Sequence, residues 1–448
     1  MTKFNNNSGY ALPFLLVTYL LVTSMLVITI NFFYIFDKYE IRKYHKKKLD
    51  LACRSAVEQF ISSKIFDWSK DKIINVDSTD VILQCQRKGI YYSITSLAKN
   101  KRDSSSVTFL LGEPVSTPFD NAVIISRPSL NAAVTGHTKI VGDILCTASN
   151  LSKRIIMGID KSSSEYLTGK INTDNDIRPK LFSDSLVSSL FTQHGFIPIR
   201  ECMEIPEGVP LDSLLISSND SVSNYYAAGN LALAGNLWRI KNKTIKVFVS
   251  AETMIQNGTK SNADIEIFCD STFTIGSGAQ IENMIITAGS YIKICPGAVC
   301  KNVQLFSKKG IQCDNAFFKF PSVLCLYVDP IDTSKQKCRI NIKESRINGS
   351  IMLISTEVGT EVNKSRIIID EKSRIQGLVY SENNCENHSE VAGAVYTYNF
   401  YYYKKPTEYI NWLVDLRINR KKLDELFLLP LGFYENHNLE IIKETWNY

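Results

Sequence analysis

The chain has 448 residues, 44% hydrophobic and 21% charged, an ordinary globular balance that excludes a wholly disordered polypeptide and leaves room for two or three folded units. Its formal charge of +6 is small for that length, and no basic face interleaved with stacking aromatics marks a nucleic-acid interface. Eleven cysteines, spread singly from Cys53 to Cys385, fit buried core positions better than a disulfide framework, and the lone Cys295/Cys300 pair falls short of a zinc site.

The polar stretch Met1 to Gly9 is followed by an apolar run from Tyr10 to Phe36, longer than the roughly 20 residues a helix needs to cross a bilayer. A cleaved secretory signal would have a shorter apolar part and a small-residue cleavage site, so residues 10–36 are expected to be a single uncleaved transmembrane helix with the lipid bilayer as partner. Lys38, Arg42, Lys43, Lys46, Lys47 and Lys48 follow at once, where they attract anionic headgroups. Leu49, Ala52, Cys53, Ala56 and Phe60 then fall at helical spacing, which predicts an amphipathic helix over 37–66. Neither Pro nor Gly occurs between Phe14 and Ile65, so span and amphipathic segment are expected to form one rod.

These first residues resemble the type IV prepilins and type II secretion pseudopilins. A short polar, basic leader ending in Gly9 precedes the aromatic Tyr10 and the hydrophobic helix. The resemblance implies cleavage by a prepilin peptidase between Gly9 and Tyr10 and packing of the mature helix among like subunits. One position departs from the family: Phe14 stands where Glu is usual as the fifth mature residue, a change tolerated mainly in tip-type minor members. The six Lys and Arg between Asp37 and Asp50 favour a cytoplasmic C-terminal side by the positive-inside rule, against the leader, which favours an extracytoplasmic head. We adopt the extracytoplasmic head, with the cytoplasmic orientation as the alternative.

Between 77 and 115 the pattern changes to period two. Val81-Ile82-Leu83, Gly89 to Ile94 and Val107 to Leu111 predict two or three antiparallel strands in a small β-rich region.

From about Val134 to residue 400 the chain repeats. Gly278-Ala279-Gln280-Ile281-Glu282-Asn283 returns as Gly297-Ala298-Val299-Cys300-Lys301-Asn302, a shift of 19 that also carries Phe273 to Ile292 to Ile311, Ile275 to Ile294 to Cys313 and Ala279 to Ala298 to Phe317. Arg339 to Gly349 echoes Arg366 to Gly377 at a wider interval, and Gly136 to Ile144 with Leu167 to Ile171 suggest entry coils. A short Ile- and Val-rich strand, a Gly or Asn turn and a return after about twenty residues describe a parallel β-solenoid, in which each coil buries its inward side chains only when another stacks on it. A period of 19 does not divide into hexapeptides, so a right-handed β-helix is expected. Asn283 and Asn302 tolerate left-handed backbone and are placed to stack in a ladder.

From roughly Asp264 to Tyr396 the pattern is similar to the bactofilins, polymer-forming β-helices of the cytoplasmic side. The segment 184–243 is expected as a non-repeat insertion. Residues 406–448 are expected as a C-terminal cap containing a short helix, from Tyr409, Ile410, Leu413 and Leu416 followed by Leu423, Leu426 and Phe427. The fold class expected is therefore mainly β, with an N-terminal transmembrane helix, a small α+β region, a parallel β-helix and a cap.

Chemistry is hard to find in the residues. No two of the five histidines lie at a helical metal-ligand spacing, and Cys385-Glu386-Asn387-His388 lacks further ligands and fits a solvated turn. Asp264, Glu266, Asp270 and Glu282 would be candidates for a β-helix polysaccharide enzyme, yet a shift of 19 places them on Asn283, Ile285, Gly289 and Lys301, so no acidic column forms there. No phosphate loop, nucleophile elbow or zinc-protease motif is present, and no cofactor is expected. The chain is expected to be a non-enzymatic envelope protein, resembling a minor pilin or pseudopilin, that offers its coils to like subunits or to an extracellular polymer. A membrane-tethered bactofilin-like scaffold and a β-helix carbohydrate-active enzyme are the alternatives.

Overall fold

The computed structural model describes residues 11–63, 71–100, 103–128, 131–147, 151–162, 165–174, 177, 180–192, 201–206, 224–237, 244–328, 338–355, 365–434 and 438–442. It is mainly β, with one long N-terminal apolar helix and one large, mostly parallel sheet. Two compact units are distinguished: residues 1–86 with 94–109, and residues 87–93 with 110–448.

The first unit is built on α1 (Ala11–Ser62), 52 residues and about 78 Å at 1.5 Å per residue. Its N-terminal half is apolar on every side and exposed, so it is long and apolar enough to cross a membrane. The C-terminal half becomes one-sided: Leu49, Ala52, Cys53, Ala56, Val57 and Phe60 are buried while the residues between them are not. Burying a Leu, Val or Phe stabilises by roughly 1.5–3 kcal/mol, so this stripe fastens the helix.

The surface it meets comes from β1 (Lys72–Val76), β2 (Thr79–Lys88), β3 (Tyr91–Lys99) and β4 (Ser104–Pro114), neighbours in that order. Asp77 and Ser78, both at positive φ (46° and 63°), close the two-residue turn between β1 and β2, the geometry that matches strand twist. The Cys53 thiol reaches Ser96 O at 3.5 Å and Ser105 O at 3.6 Å, and Ser96 Oγ donates back to Cys53 O at 3.0 Å, so the stripe lies on β3 and β4. Burial pushes the Cys53 thiol up, which keeps it an inert core group.

The second unit is a parallel array in which most strands pair with the strand three positions along the chain, giving three columns. In the first column Val247, Ile267, Ile286, Leu305, Leu324, Ile351, Val379 and Val395 stand in unbroken register, nearly all fully buried. The second column runs Phe273, Ile292, Ile311, Ile340, Ile367, Cys385 and Phe400. The third runs Ile281, Cys300, Phe318, Ile347, Ile375, Val391 and Ile418. Apolar side chains, mostly Ile and Val with Leu, Phe and Cys among them, pack on one another along each column, and no single layer could bury them alone.

Several details differ from what the sequence predicts. The register Ala279 to Ala298 continues to Ala316, not Phe317, which pairs with Val299: the turn after Cys313 is one residue shorter, with Asn315 (φ 43°) in place of Gly297. Parallel pairing already begins at Met203–Glu204, and Asn224–Ala227, Leu231–Leu233 and Asn236–Leu237 occupy the three columns within 184–243.

The segments expected as entry coils are not at the start of the stack. Val123 pairs with Val395, Ile140 with Ile418, Ile144 with Val123 and Ile171 with Ile144, so the strands Val123–Ile125, Lys139–Val141, Ile144–Cys146 and Ile171–Thr173 extend the columns beyond the C-terminal coil. Hydrophobic columns define neighbours by side-chain fit and not by chain order, which is why local sequence gave no sign of this closure.

The segment expected as a helix in the cap forms three strands, Thr407–Ile410, Trp412–Val414 and Arg417–Asn419, then a short 3-10 turn at Arg420–Lys422. Asn411 (φ 56°) and Asp415 (φ 52°) break the chain between them, and the three- and four-residue spacing of Tyr409, Leu413 and Leu416 comes from turns between short strands. Among the described residues this unit has one α-helix, α2 (Ser185–Thr192), which buries Val187 and Leu190 in a second apolar cluster.

Candidate functional site

In the later part of the array the second-column strands end in polar turns, and these turns share one column. Strand Arg339–Lys343 leads to Glu344, Arg366–Ile369 to Asp370, Glu371 and Lys372, and Arg374–Asn387 to His388. Asp415 follows Trp412–Val414, and His137 follows Ala132–Thr135 from the N-terminal coils. Together with Arg417 these residues line an open groove of about 820 Å³. Successive strands of a sheet are ~4.8 Å apart, so the groove runs across coils rather than along them.

Much of its charge is tied into the stack. The Asp370 carboxylate accepts Glu344 N at 3.0 Å and Ser373 N at 2.9 Å. Lys372 meets Glu344 at 2.5 Å, and that hydrogen bond raises the ammonium above its ordinary value. Asp415 accepts His137 N at 2.7 Å, and Gly136 beside it (φ 66°) has no room for a Cβ, which would stand 2.2 Å from Asp415 Oδ1. The site is thus completed by the docking of an N-terminal coil on a C-terminal one.

On one side His388 opens onto aromatics. Its ring meets Tyr402 at 5.9 Å, Tyr402 meets Tyr409 at 6.1 Å, and Tyr409 meets Trp412 at 5.2 Å, all half-buried. Behind it Glu386 lies 3.1 Å from Arg366 and 3.6 Å from His388; burial opposes its charge, but these two partners hold the carboxyl below its usual range. Acceptors, donors and flat apolar rings side by side are the chemistry that takes up a polyhydroxylated chain.

The residues singled out from sequence fall elsewhere. Phe273, Ile275, Ala279, Ile281, Ile292, Ile294, Ala298, Ile311 and Cys313 are all at most 1% exposed and form the interior of the early coils. Asn302 Nδ2 donates to Asn283 Oδ1 at 2.8 Å with both residues at positive φ, the ladder expected of them. Asp264 pairs with Lys88 at 2.6 Å and Glu266 with Lys246 at 3.1 Å, each used in a separate ion pair. Cys385 to Asn387 is not a solvated turn: these residues end a strand, with Cys385 and Asn387 buried in the second column. Among the described residues no group of three or more His, Cys, Asp or Glu is arranged to hold a metal ion. Gly9 and Tyr10 lie outside the described residues.

The groove acids escaped the sequence reading because its shift of 19 holds only in the early coils. From Arg339 the interval widens, and the available signal was a polar turn after each Ile-rich strand, as in Ile369-Asp370-Glu371-Lys372-Ser373. No protein-family model, curated protein or solved structure matches this chain.

Proposed function

We propose that this chain is a membrane-anchored, non-enzymatic structural protein of the cell envelope, similar to a minor pilin or pseudopilin, whose right-handed parallel β-helix is displayed for assembly with like subunits or for binding an extracellular polymer. The observation that carries the reading is α1: its exposed apolar half continues without interruption into a half that buries a single stripe on a small sheet. A helix built this way serves lipid and a head domain at once. The three columns in register support the β-helix, and the groove beside Tyr402, Tyr409 and Trp412 supports polymer binding. The mass of the mature N-terminus tests the pilin-like part: a chain beginning at Tyr10 supports it, whereas an intact Met1 or another start contradicts it.

The six Lys and Arg between Asp37 and Asp50 favour a second reading, a bactofilin-like scaffold held on the cytoplasmic side. Protease added to spheroplasts separates the two, since only an extracytoplasmic head is digested.

A further inference from the structure

Glu382 is a carboxyl group with no solvent exposure, and its partners join three elements. Its side chain accepts Ser355 N at 2.7 Å and the Tyr380 hydroxyl at 2.8 Å. Tyr380 Oη in turn accepts the backbone N–H groups of Leu181 and Phe182, both at 3.0 Å. Residues 180–192, which include α2, are thereby tied to the outer face of the first column through a buried acid. Apolar contact lies on either side of the tie: the Phe182 and Tyr380 rings are 6.4 Å apart, Tyr380 stacks on Tyr396 at 4.6 Å, and Val187 and Leu190 are buried in the same cluster.

The groups facing Glu382 are few. From residues 180–192 come Lys180 and Asp184, paired with each other at 2.6 Å and each about a third exposed. The neighbouring strands bring Tyr380, the Tyr396 phenol and the Cys325 thiol, all pushed upward chiefly by burial. Lys180 is the one cation of this set, and Asp184 offsets it.

We propose that Glu382 is a proton-operated catch for a strap made of residues 180–192, which stays docked while Glu382 is neutral and is released when Glu382 ionises. Burial moves this carboxyl from 4.5 up to about 7, although the hydrogen bonds from Ser355 and Tyr380 pull the other way. Lifting the strap lets water reach the carboxylate, and the charged form is the one that gains most from water. A docked-state value above the undocked one means that docking is strongest in acid. It weakens as pH rises from about 4.5 to about 7 and is level beyond. If the strap accounts for all of the burial, the change reaches 10^(7−4.5), about 300-fold. Release bares Phe182 and Tyr380, so neutral pH offers an aromatic surface that acid hides.

Hydrogen exchange of the full chain in lipid nanodiscs, followed by mass spectrometry from pH 4 to 8.5 and corrected for the intrinsic chemical rate, tests the catch. Protection of residues 181–192 is expected to fall between pH 4.5 and 7 by up to ~300-fold in the wild type and to stay flat in Glu382→Gln. Flat protection in the wild type, or the same fall in Glu382→Gln, overturns the proposal. Lys180→Gln is the second variant: loss of the cation moves the transition to higher pH, and an unmoved transition also counts against the catch.

Discussion

The stacked arrangement can be tested with a pair of glycine substitutions, one crowded by adjacent backbone and one open. Gly349, Gly377 and Gly393 occupy equivalent places in successive coils, in register and at φ of 155°, 143° and 156°. A Cβ on Gly377 would stand 2.0 Å from Gly349 O and 2.8 Å from Phe427 Cε2, and one on Gly393 would stand 1.8 Å from Gly377 O. The obstructing atoms at this corner are mainly backbone of the adjacent coil, which cannot rotate away. By contrast Gly258 (φ 69°) turns the chain with nothing among the described residues within 4 Å of where its Cβ would lie. Gly258→Ala therefore incurs only the left-handed backbone cost, about 1 kcal/mol. Gly377→Ala adds to backbone strain of about 1–3 kcal/mol the parting of two coils, for a total of roughly 3–5 kcal/mol. Urea denaturation of both variants, followed by far-UV circular dichroism, gives the difference. Equal costs for the two substitutions would show that the coils do not stack as closely as Gly349, Gly377 and Gly393 require.

The remaining predictions concern other joints of the structure. Because burial raises Glu382, its contribution to stability is full below about pH 4.5 and is lost as pH rises to about 7; Glu382→Gln is expected to remove this component, seen as a stability gain over wild type at pH 8 that vanishes at pH 4. Glu386 behaves in the opposite sense: held low by His388 and Arg366, it stabilises above the ordinary carboxyl range and loses that contribution as pH falls, so Arg366→Met should make unfolding set in at a higher pH on acidification. Gln304, almost fully buried, accepts Ile90 N at 2.9 Å and donates to Lys88 O at 3.1 Å; Gln304→Leu leaves both groups unpaired and is expected to destabilise by about 2–4 kcal/mol in the same denaturation assay. For the groove, Trp412→Ala and Tyr402→Ala should weaken retention on insoluble polysaccharide by at least about fivefold in a pull-down, while a Met254→Ala control, exposed in an early coil, should not.

What could be read from the sequence follows from how local the signal was. The N-terminal helix and its stripe depend on composition and spacing inside one segment, and Leu49, Ala52, Cys53, Ala56 and Phe60 are buried as the spacing required. The early coils were equally visible, because Phe273/Ile292/Ile311 and Ile275/Ile294/Cys313 return after a constant interval and each sits above its counterpart. Where turn lengths vary the signal fades. The change after Cys313 shifted the register by one residue, and the wider late coils hid the shared column of Glu344, Asp370, His388 and Asp415. Least accessible of all was the docking of residues 123–173 on the C-terminal coil. It depends on Val123 fitting above Val395 and Ile140 above Ile418, pairings between residues separated by most of the chain.

That docking completes the groove and is the most direct point at which to test the fold. Lys139 and Arg417 are exposed partners in register on adjacent parallel strands, where neighbouring chains lie ~4.8 Å apart, within the Cα range that a disulfide spans. In a Lys139→Cys/Arg417→Cys variant under mild oxidation, peptide mapping by mass spectrometry should recover a peptide joining positions 139 and 417. Recovery of positions 139 and 417 as unlinked peptides only, or linked to native cysteines in place of each other, would contradict the closure and the groove it completes.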